Sequence, residues 1–582
     1  MSAPNRNTLW GRAIAEELAA TGVEAVCVAP GSRSTPLTVA VSEHPKLEVL
    51  SHLDERSAAF FALGRGRRTA APTALVCTSG TAAANFHPAI LEASESRVPL
   101  LALTADRPPE LQDSGANQTT DQTALYGDAV RYYRTLPEPT PDARTLRSLR
   151  ATVDRAVAET TGSPPGPVHL NVPFHKPLEP VEVSGDVPEA LERDHPEAAT
   201  GRAGPFVTRT DGETRLRRAD VQALAGAVEG VDRGLVVCGP ADRPTPARSA
   251  LCRLAEATGF PVLADPLSGL RFGAHVERTT VCGGYDSYLD GAAWDDPEFV
   301  LRFGASPTSK VLRTYLAAAD ARQVVVDPAG GWREATFTAT DLVAADPSPL
   351  ADELAAAVEE GGSPDWHGRF ADAEADYWPL VAEACEERLF EGAVLHEVAR
   401  RLPDPATLFV SNSMPVRDLD RFGRPRAADV RALGNRGVSG IDGVTSTALG
   451  AGSVTDDPLV LVTGDLAYYH DMNGLLALER CDVDATVVLV NNDGGGIFHK
   501  LPVEDFDPPF TEQFKTPHGL DFGPTGEVYD LEFTTAGSRA EFTDRFEGSF
   551  GREGTQVIEV ETDGEASHRF REHLHDRVCD AV

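Results

Sequence analysis

The stretch LVTGDLAYYHD (461–471) sets an acid at the tip of an apolar run, and ATVVLVNNDGGGIF (485–498) does the same with amides. Leu459-Val460-Leu461-Val462 and Val487-Val488-Leu489-Val490 have the length and β-branched content of buried strands. Asp465 and Asn492 are 27 residues apart, room for a helix and a return to a neighbouring parallel strand. This reading predicts both side chains at exposed strand ends, on one edge of a parallel sheet. An acid oxygen, an amide oxygen and a carbonyl in a glycine-rich turn form a hard-oxygen set suited to Mg²⁺. Gly494, Gly495 and Gly496 would let the backbone approach a phosphate closely. Taken singly, each half also reads as an ordinary turn in which Asp or Asn caps a helix.

Outward from this pair, the chain alternates strand and helix patterns. Asn5–Thr21 carries Leu9, Ala13, Ile14 and Leu18 at helical spacing, with Gly22 where a C-cap belongs. Strands are predicted over Val23–Val28, Leu47–Leu53, Ala74–Cys77 and Pro99–Thr104, each running into an unusual turn: APGSRSTPL, DERSAAFFALG, TSGTAAANFHPAILEA and ADRPPEL. GLVVCGP (234–240), PVLADP (261–266), FVLRFGA (299–305) and RQVVVDP (322–328) supply a middle set. The pattern predicts an α/β protein of three doubly wound parallel-sheet domains, with ligands at strand carboxyl ends. Compositional breaks divide it into residues 1–180, a linker at 181–204, a central domain at 205–357, a second linker at 358–378, and a last domain at 379–582. No G-x-G-x-x-G follows a strand in the middle section, so nothing marks a dinucleotide site there.

The 582 residues carry 89 acidic and 53 basic side chains, a net charge of −36. Only five of the basic residues are lysines: 46, 176, 310, 500 and 515. Such a field disfavours nucleic acid as a partner and fits a high-salt cytoplasm, where salt screens the self-repulsion of an acidic surface. No apolar run is long enough to cross a membrane, and the N-terminus lacks a secretory apolar segment. The eight cysteines contain no C-x-x-C pair, as expected of reduced thiols in a cytoplasm.

Gly464-Asp465-Leu466 followed by Asn491-Asn492 resembles the cofactor motif of thiamine-diphosphate-dependent enzymes, with Leu466 where a third glycine is usual. The resemblance implies that Asp465, Asn492 and the Gly494 carbonyl hold Mg²⁺, or Mn²⁺ in its place, and that Gly464 lies against the cofactor. It also implies a glutamate beside the aminopyrimidine ring. Glu55, in LSHLDERSAAFFALG, follows an apolar strand and opens a helix, although an acid there is also ordinary dipole pairing.

APGSRSTPL, DERSAAFFALG, TSGTAAAN, LTADRPPEL, GANQTTDQ, SNSMPVRD, NRGVSGIDG and GDLAYYHDMNGLL, in that order, resemble the 2-succinyl-5-enolpyruvyl-6-hydroxy-3-cyclohexene-1-carboxylate (SEPHCHC) synthases of menaquinone biosynthesis. The resemblance implies decarboxylation of 2-oxoglutarate and Stetter-type 1,4-addition of the succinyl unit to isochorismate. It implies a cytoplasmic homo-oligomer, dimer or tetramer, with sites between subunits. By the same likeness, Ser413 and Arg417 hold the succinyl carboxylate with Arg436 nearby, and Ser32, Arg33, Arg107, Asn117, Gln118 and Lys310 face isochorismate. Some relatives carry Arg after this lysine; here it is Val311. Ile441 would wedge under the cofactor, and Ile497, Phe498 and Leu501 would line the dry side of the pocket. Arg suits carboxylates because its planar fork engages both oxygens, yet each arginine could equally sit in a surface ion pair. The four apolar residues could equally be ordinary core. Two rival readings stay open: another thiamine-diphosphate-dependent 2-oxoacid decarboxylase or synthase, such as an acetolactate-synthase relative, and a non-catalytic binding protein of the same fold.

Overall fold

The computed structural model describes residues 3–243, 245–291, 294–359 and 361–582. Three six-stranded sheets, wholly parallel, follow one another along the chain. The first holds β1 (Ala25–Val28), β2 (Glu48–Ser51), β3 (Thr73–Cys77), β4 (Leu100–Asp106), β5 (Tyr132–Thr135) and β6 (Pro167–Pro173), in the order β2-β1-β3-β4-β6-β5. The second holds β7 (Gly234–Cys238), β8 (Val262–Ala264), β9 (Val281–Cys282), β10 (Phe299–Phe303), β11 (Arg322–Val326) and β12 (Asp341–Val343), ordered β12-β11-β10-β7-β8-β9. The third holds β13 (Ala406–Val410), β14 (Val430–Leu433), β15 (Leu459–Gly464), β16 (Thr486–Asn491), β17 (Glu532–Thr535) and β18 (Gln556–Glu561), ordered β14-β13-β15-β16-β18-β17.

The apolar runs of the opening motif are β15 and β16, and they pair in parallel from Val460 opposite Thr486 to Gly464 opposite Val490. Both strands are buried on both faces up to their last residue, as helix-covered parallel sheets require. The motif-bearing turns all leave carboxyl ends: APGSRS after β1, HLDER after β2, TSGTAA after β3, DRPPEL from the last residue of β4, GASPTSK after β10, SNSMPV after β13.

By its contacts the chain forms two compact units. The first runs through Asp211 and takes in Asn435–Asp456 and His470–Val483; the second holds Gly212–Gly434, Asp457–Tyr469 and Asp484–Val582. Within the first unit, the helix Glu55–Thr69 crosses the helix Val444–Gly452 so closely that glycine is obligatory at the contact. A Cβ on Gly64 would lie 2.0 Å from the Thr447 carbonyl oxygen, and one on Gly450 would lie 1.9 Å from that of Phe61.

The breaks read from composition are less empty than expected. Residues 181–204 contain the short helices Leu191–Asp194 and Pro196–Thr200. The stretch 358–378 turns helical at Pro364 and stays so through Glu387. There Ser363 caps the N-terminus through its side chain, Pro364 takes the first turn, and Trp366, Phe370, Tyr377 and Trp378 are buried in the core around Leu235, Val300 and Leu574. Ser-Pro reads as a break in sequence, but it also starts helices.

Candidate active site

In the second unit, β15 delivers Asp465 to the first turn of the helix Asp465–His470, and β16 ends one residue before Asn492. Asp465 Oδ2 accepts from the backbone N–H groups of Gly494 at 2.9 Å and Asn492 at 3.2 Å. Its Oδ1 accepts from Leu466 N–H at 2.7 Å. His518 Nδ1 accepts from Leu520 N–H, so its Nε2 carries the proton and donates to Asp465 Oδ2 at 3.2 Å. The side chain is therefore buried, with 3% exposure, against the expectation of an exposed strand end. The backbone of its own loop closes over it. Burial pushes the carboxyl above its ordinary range, against the opposing hydrogen bonds from Gly494, Leu466 and His518.

Asn492 turns Nδ2 to Glu391 Oε1 at 2.6 Å, and its Oδ1 is buried with no hydrogen-bond partner among the described residues. The Gly494 carbonyl accepts one bond, from Gly496 N–H at 3.1 Å, and keeps a second lone pair. A carboxylate, an unpartnered buried amide oxygen and a carbonyl at one turn fit a hard divalent cation such as Mg²⁺. The glycines meet a nearer constraint than phosphate. Gly494 has φ +136°, and a Cβ on it would lie 2.0 Å from the Lys515 carbonyl oxygen; one on Gly495 would lie 2.7 Å from that of Phe514.

A cavity of about 290 Å³ in the same unit brings together four of the expected residues: Lys310, Arg417, Ile497 and Leu501. Lys310 opens the helix Lys310–Ala318, which Ser309 caps through its side chain, and Val311 lines the wall beside it. Arg417 lies one turn into the helix Met414–Phe422 and donates to the Ser413 carbonyl at 2.6 Å. Ser413 adopts φ +69°, a left-handed conformation that starts this helix abruptly at the end of the SNS turn. Neither Ser413 nor Phe498 is on the cavity wall; the Phe498 ring packs edge-on against Phe514.

The carboxylates of this wall are mostly engaged. Arg421 pairs with Asp286 at 2.8 Å, Arg571 grips Asp418 with two bonds of 2.8 and 2.7 Å, and His575 meets Asp290 at 3.0 Å. Lys500 also faces the cavity, a residue the sequence reading missed, although it is one of five lysines and lies two positions beyond GGGIF. No carboxylate is in ion-pair range of Lys310 or Lys500 among the described residues. Lys500 is exposed overall, but desolvation on its cavity side, then the Arg421 guanidinium, push its ammonium below the ordinary range against the pull of Asp286 and Asp418.

In the first unit, Asp54 caps the helix that Glu55 opens, accepting from Arg56 N–H at 2.8 Å and Ser57 N–H at 3.4 Å. Arg56 donates to the His470 carbonyl at 2.7 Å, beside the buried Asp471, which burial pushes up to about 6. Ile441 and Arg436 belong to this unit and are half-buried; Gly443, just beyond, has φ +61° and packs where a Cβ would strike the Phe60 ring. Arg33 is 4% exposed and donates to the Phe174 carbonyl at 2.7 Å. Burial first, then the charge of Arg107, push its guanidinium down. The Nε atoms of both Arg33 and Arg107 are buried without a partner among the described residues. Two close guanidiniums with unspent donors are suited to an anion. Ser32 and Asn117 are exposed, and Gln118, at φ +53°, exchanges bonds with Ser79. The buried Gln122 of the same loop was also missed: its Oε1 accepts from Gly80 N–H and its Nε2 donates to Asn171 Oδ1 at 2.8 Å.

Comparison with known proteins gives the family. Residues 10–125 match the family described as thiamine pyrophosphate enzyme, N-terminal TPP binding domain; 215–410 match the middle domain of thiamine pyrophosphate; 426–560 match the C-terminal TPP binding domain. A SEPHCHC synthase of Halobacterium salinarum is 64% identical over 99% of each chain, and one of Haloarcula marismortui is 61% identical over all of both. A SEPHCHC synthase of Roseiflexus sp. is 46% identical over 97% of this chain and 96% of its own. The fold matches a thiamine diphosphate-dependent 4-hydroxybenzoylformate decarboxylase of Rhodococcus jostii with TM-score 0.72, over 95% of this chain and 99% of that one, at 16% identity. With three thiamine-diphosphate domains in order and relatives this similar end to end, the chain belongs to the SEPHCHC synthase family of thiamine-diphosphate-dependent enzymes.

Proposed function

We propose that this enzyme decarboxylates 2-oxoglutarate and adds the succinyl unit to isochorismate, giving SEPHCHC and CO2. The observation that carries the reading is the cavity in which Lys310, Arg417 and Lys500 meet Ile497 and Leu501, inside a chain of net charge −36. Such a cavity offers cations to substrate carboxylates beside an apolar wall. Bound thiamine diphosphate supplies the electron sink that lets CO2 leave. Asp465, Asn492 and the Gly494 carbonyl hold its Mg²⁺, with Mn²⁺ as the alternative, and Gly464 and Ile441 lie against the cofactor. Glu55 passes a proton to and from the aminopyrimidine ring. Ser413 and Arg417 orient the distal carboxylate of 2-oxoglutarate, with Arg436 assisting, while Phe498 joins Ile497 and Leu501 in excluding water. Ser32, Arg33, Arg107, Asn117, Gln118 and Lys310 bind isochorismate, and Lys500 adds a cation beside Val311.

Residues 1–180 form the pyrimidine-binding domain, 205–357 the central domain and 379–582 the diphosphate-binding domain. The site is completed in a homo-oligomer, with Glu55 of one copy serving the diphosphate anchor of another. We place the enzyme in the cytoplasm; the eight unpaired cysteines fit that compartment, and among the described residues no helix is long and apolar enough to cross a membrane. The test is product identification by mass spectrometry from 2-oxoglutarate and isochorismate, with pyruvate as the competing donor. CO2 release from pyruvate in preference to 2-oxoglutarate, or no adduct with isochorismate, would overturn the reading.

A further inference from the structure

The amide of Asn492 has one donor group and one acceptor, and only the acceptor is of use to a cation. Glu391 decides which way the amide faces. Its Oε1 accepts from Asn492 Nδ2 at 2.6 Å, at a position 101 residues earlier in the chain. An ionised carboxylate can only accept, so the amide nitrogen must face Glu391 and the oxygen must face away. That oxygen is the buried atom without a partner.

Glu391 is itself 2% exposed, at the first residue of the helix Glu391–Arg401. Its second oxygen needs a partner of its own, since a buried polar atom left unpaired is costly. Arg571 is that partner: one nitrogen bonds Glu391 Oε2, and the guanidinium also grips Asp418 with two bonds. Asp418 is adjacent in sequence to Arg417. Thr562 Oγ1 adds a long bond of 3.4 Å to Glu391 Oε1. A chain of buried, charge-assisted bonds therefore runs from Asn492 through Glu391 and Arg571 to the helix that bears Arg417. All four elements belong to the second unit.

We propose that Glu391 is a positioning residue for the metal: held by Arg571 at one oxygen, it accepts from the Asn492 amide at the other and locks that amide with its oxygen toward the cation. It touches neither metal nor substrate and acts only through Asn492. The inference rests on the metal reading given above. A partner that orients a ligand from outside the coordination sphere is commonly worth about 10–100-fold in metal affinity.

The experiment is Mn²⁺ uptake by the full-length protein with thiamine diphosphate, read from the electron paramagnetic resonance signal of free Mn²⁺. Glu391→Gln keeps the volume but offers Asn492 an acceptor or a donor, so the amide is no longer locked; the Mn²⁺ dissociation constant should rise about 10–100-fold. Glu391→Asp keeps the charge beside Arg571 but withdraws the acceptor by one methylene, and it should lose affinity too. Combining E391Q with N492D reverses donor and acceptor, leaves a carboxylate oxygen for the metal, and should restore most of the affinity. A merely structural role would lower the melting temperature of the metal-free protein and would not be rescued by the second substitution. If the wild type binds Mn²⁺ and both single variants bind it equally well, the inference is wrong and the metal reading stands. If the wild type takes up no Mn²⁺ with the cofactor, the metal reading falls and the inference falls with it.

Discussion

Removing the Asp465 carboxylate should destabilise the protein even where no cofactor is present. Its two oxygens accept from three backbone N–H groups, those of Leu466, Asn492 and Gly494, and from His518. Asp465→Ala strands these donors. Leu466 is only half-buried, but the other two N–H groups hold the 492–496 turn in place. A buried donor stripped of its partner costs about 1–3 kcal/mol, so two of them give about 2–6 kcal/mol, the higher end if Gly494 stays sealed from water. Asp465→Asn separates the two roles. Its amide oxygen can keep the bonds to Asn492 and Gly494, so the metal-free protein should lose only about 1 kcal/mol, the worth of one ordinary bond. Both variants should lose thiamine-diphosphate-dependent Mn²⁺ uptake. Urea unfolding of the metal-free protein at fixed KCl, read by circular dichroism, measures the first effect. An alanine variant that unfolds with the wild type would mean that this carboxylate does not organise its loop.

Four further outcomes follow from the same geometry. Glu55→Gln keeps shape but loses the proton relay, so steady-state turnover should fall by about 10²–10⁴ while cofactor binding persists; near-normal turnover would move the role elsewhere. Arg417→Ala should slow CO2 release from 2-oxoglutarate alone by about 2–5 kcal/mol, whereas Arg33→Ala, Lys310→Ala and Lys500→Met should spare that step and impair transfer to isochorismate. Equal slowing of decarboxylation in all four would contradict the division of carboxylates between them. Glu397 is pushed up by burial, but Arg401, Arg539 and Arg400 outweigh this and hold it at about 2. Its stabilisation is complete above the usual carboxylate range, about 4.3, and is lost as pH falls toward about 2, so Glu397→Gln should flatten acid unfolding in that window. An unchanged acid profile would show that this cluster carries no net stability. Finally, stability should rise into molar KCl and collapse in dilute buffer, and a melting temperature indifferent to salt would remove the screening argument.

The parts of the site legible in sequence are those in which chemistry constrains a short stretch. GDL and NN follow apolar runs because a strand must end where its ligand begins, and the run length alone placed β15 and β16. Arg33 and Arg107 stood out because each sits in a turn after a strand, and Arg417 because its helix starts directly from such a turn. What stayed hidden is made by contacts between distant segments. Glu391 meets Asn492 across 101 residues and Arg571 across 180, and no local pattern marks either bond. His518 reaches Asp465 from a loop 53 residues on. The helix beginning at Pro364 was misread as a linker because Gly361-Gly362-Ser363-Pro364 outweighed its aromatic residues, although Trp366, Phe370, Tyr377 and Trp378 repeat at helical spacing.

The unequal use of arginine and lysine around the cavity has one physical explanation. A guanidinium fork pairs best with a fixed carboxylate, and the buried acids of the wall take Arg421 and Arg571 in that way. A lysine ammonium is compact and strongly hydrated, so crowding one beside like charge is unfavourable until an anion arrives, and desolvation together with the Arg421 guanidinium does push Lys500 down, against the pull of Asp286 and Asp418. The cations that the protein leaves unneutralised are thus the ones able to favour a bound dianion. The overall charge of −36 opposes this only at long range. Screening extends about 10 Å at 0.1 M salt but about 3 Å at 1 M, so in concentrated salt the acidic surface is invisible from the cavity. Lys310 and Lys500 then shape the local potential, and an acidic exterior becomes compatible with binding two dianionic substrates.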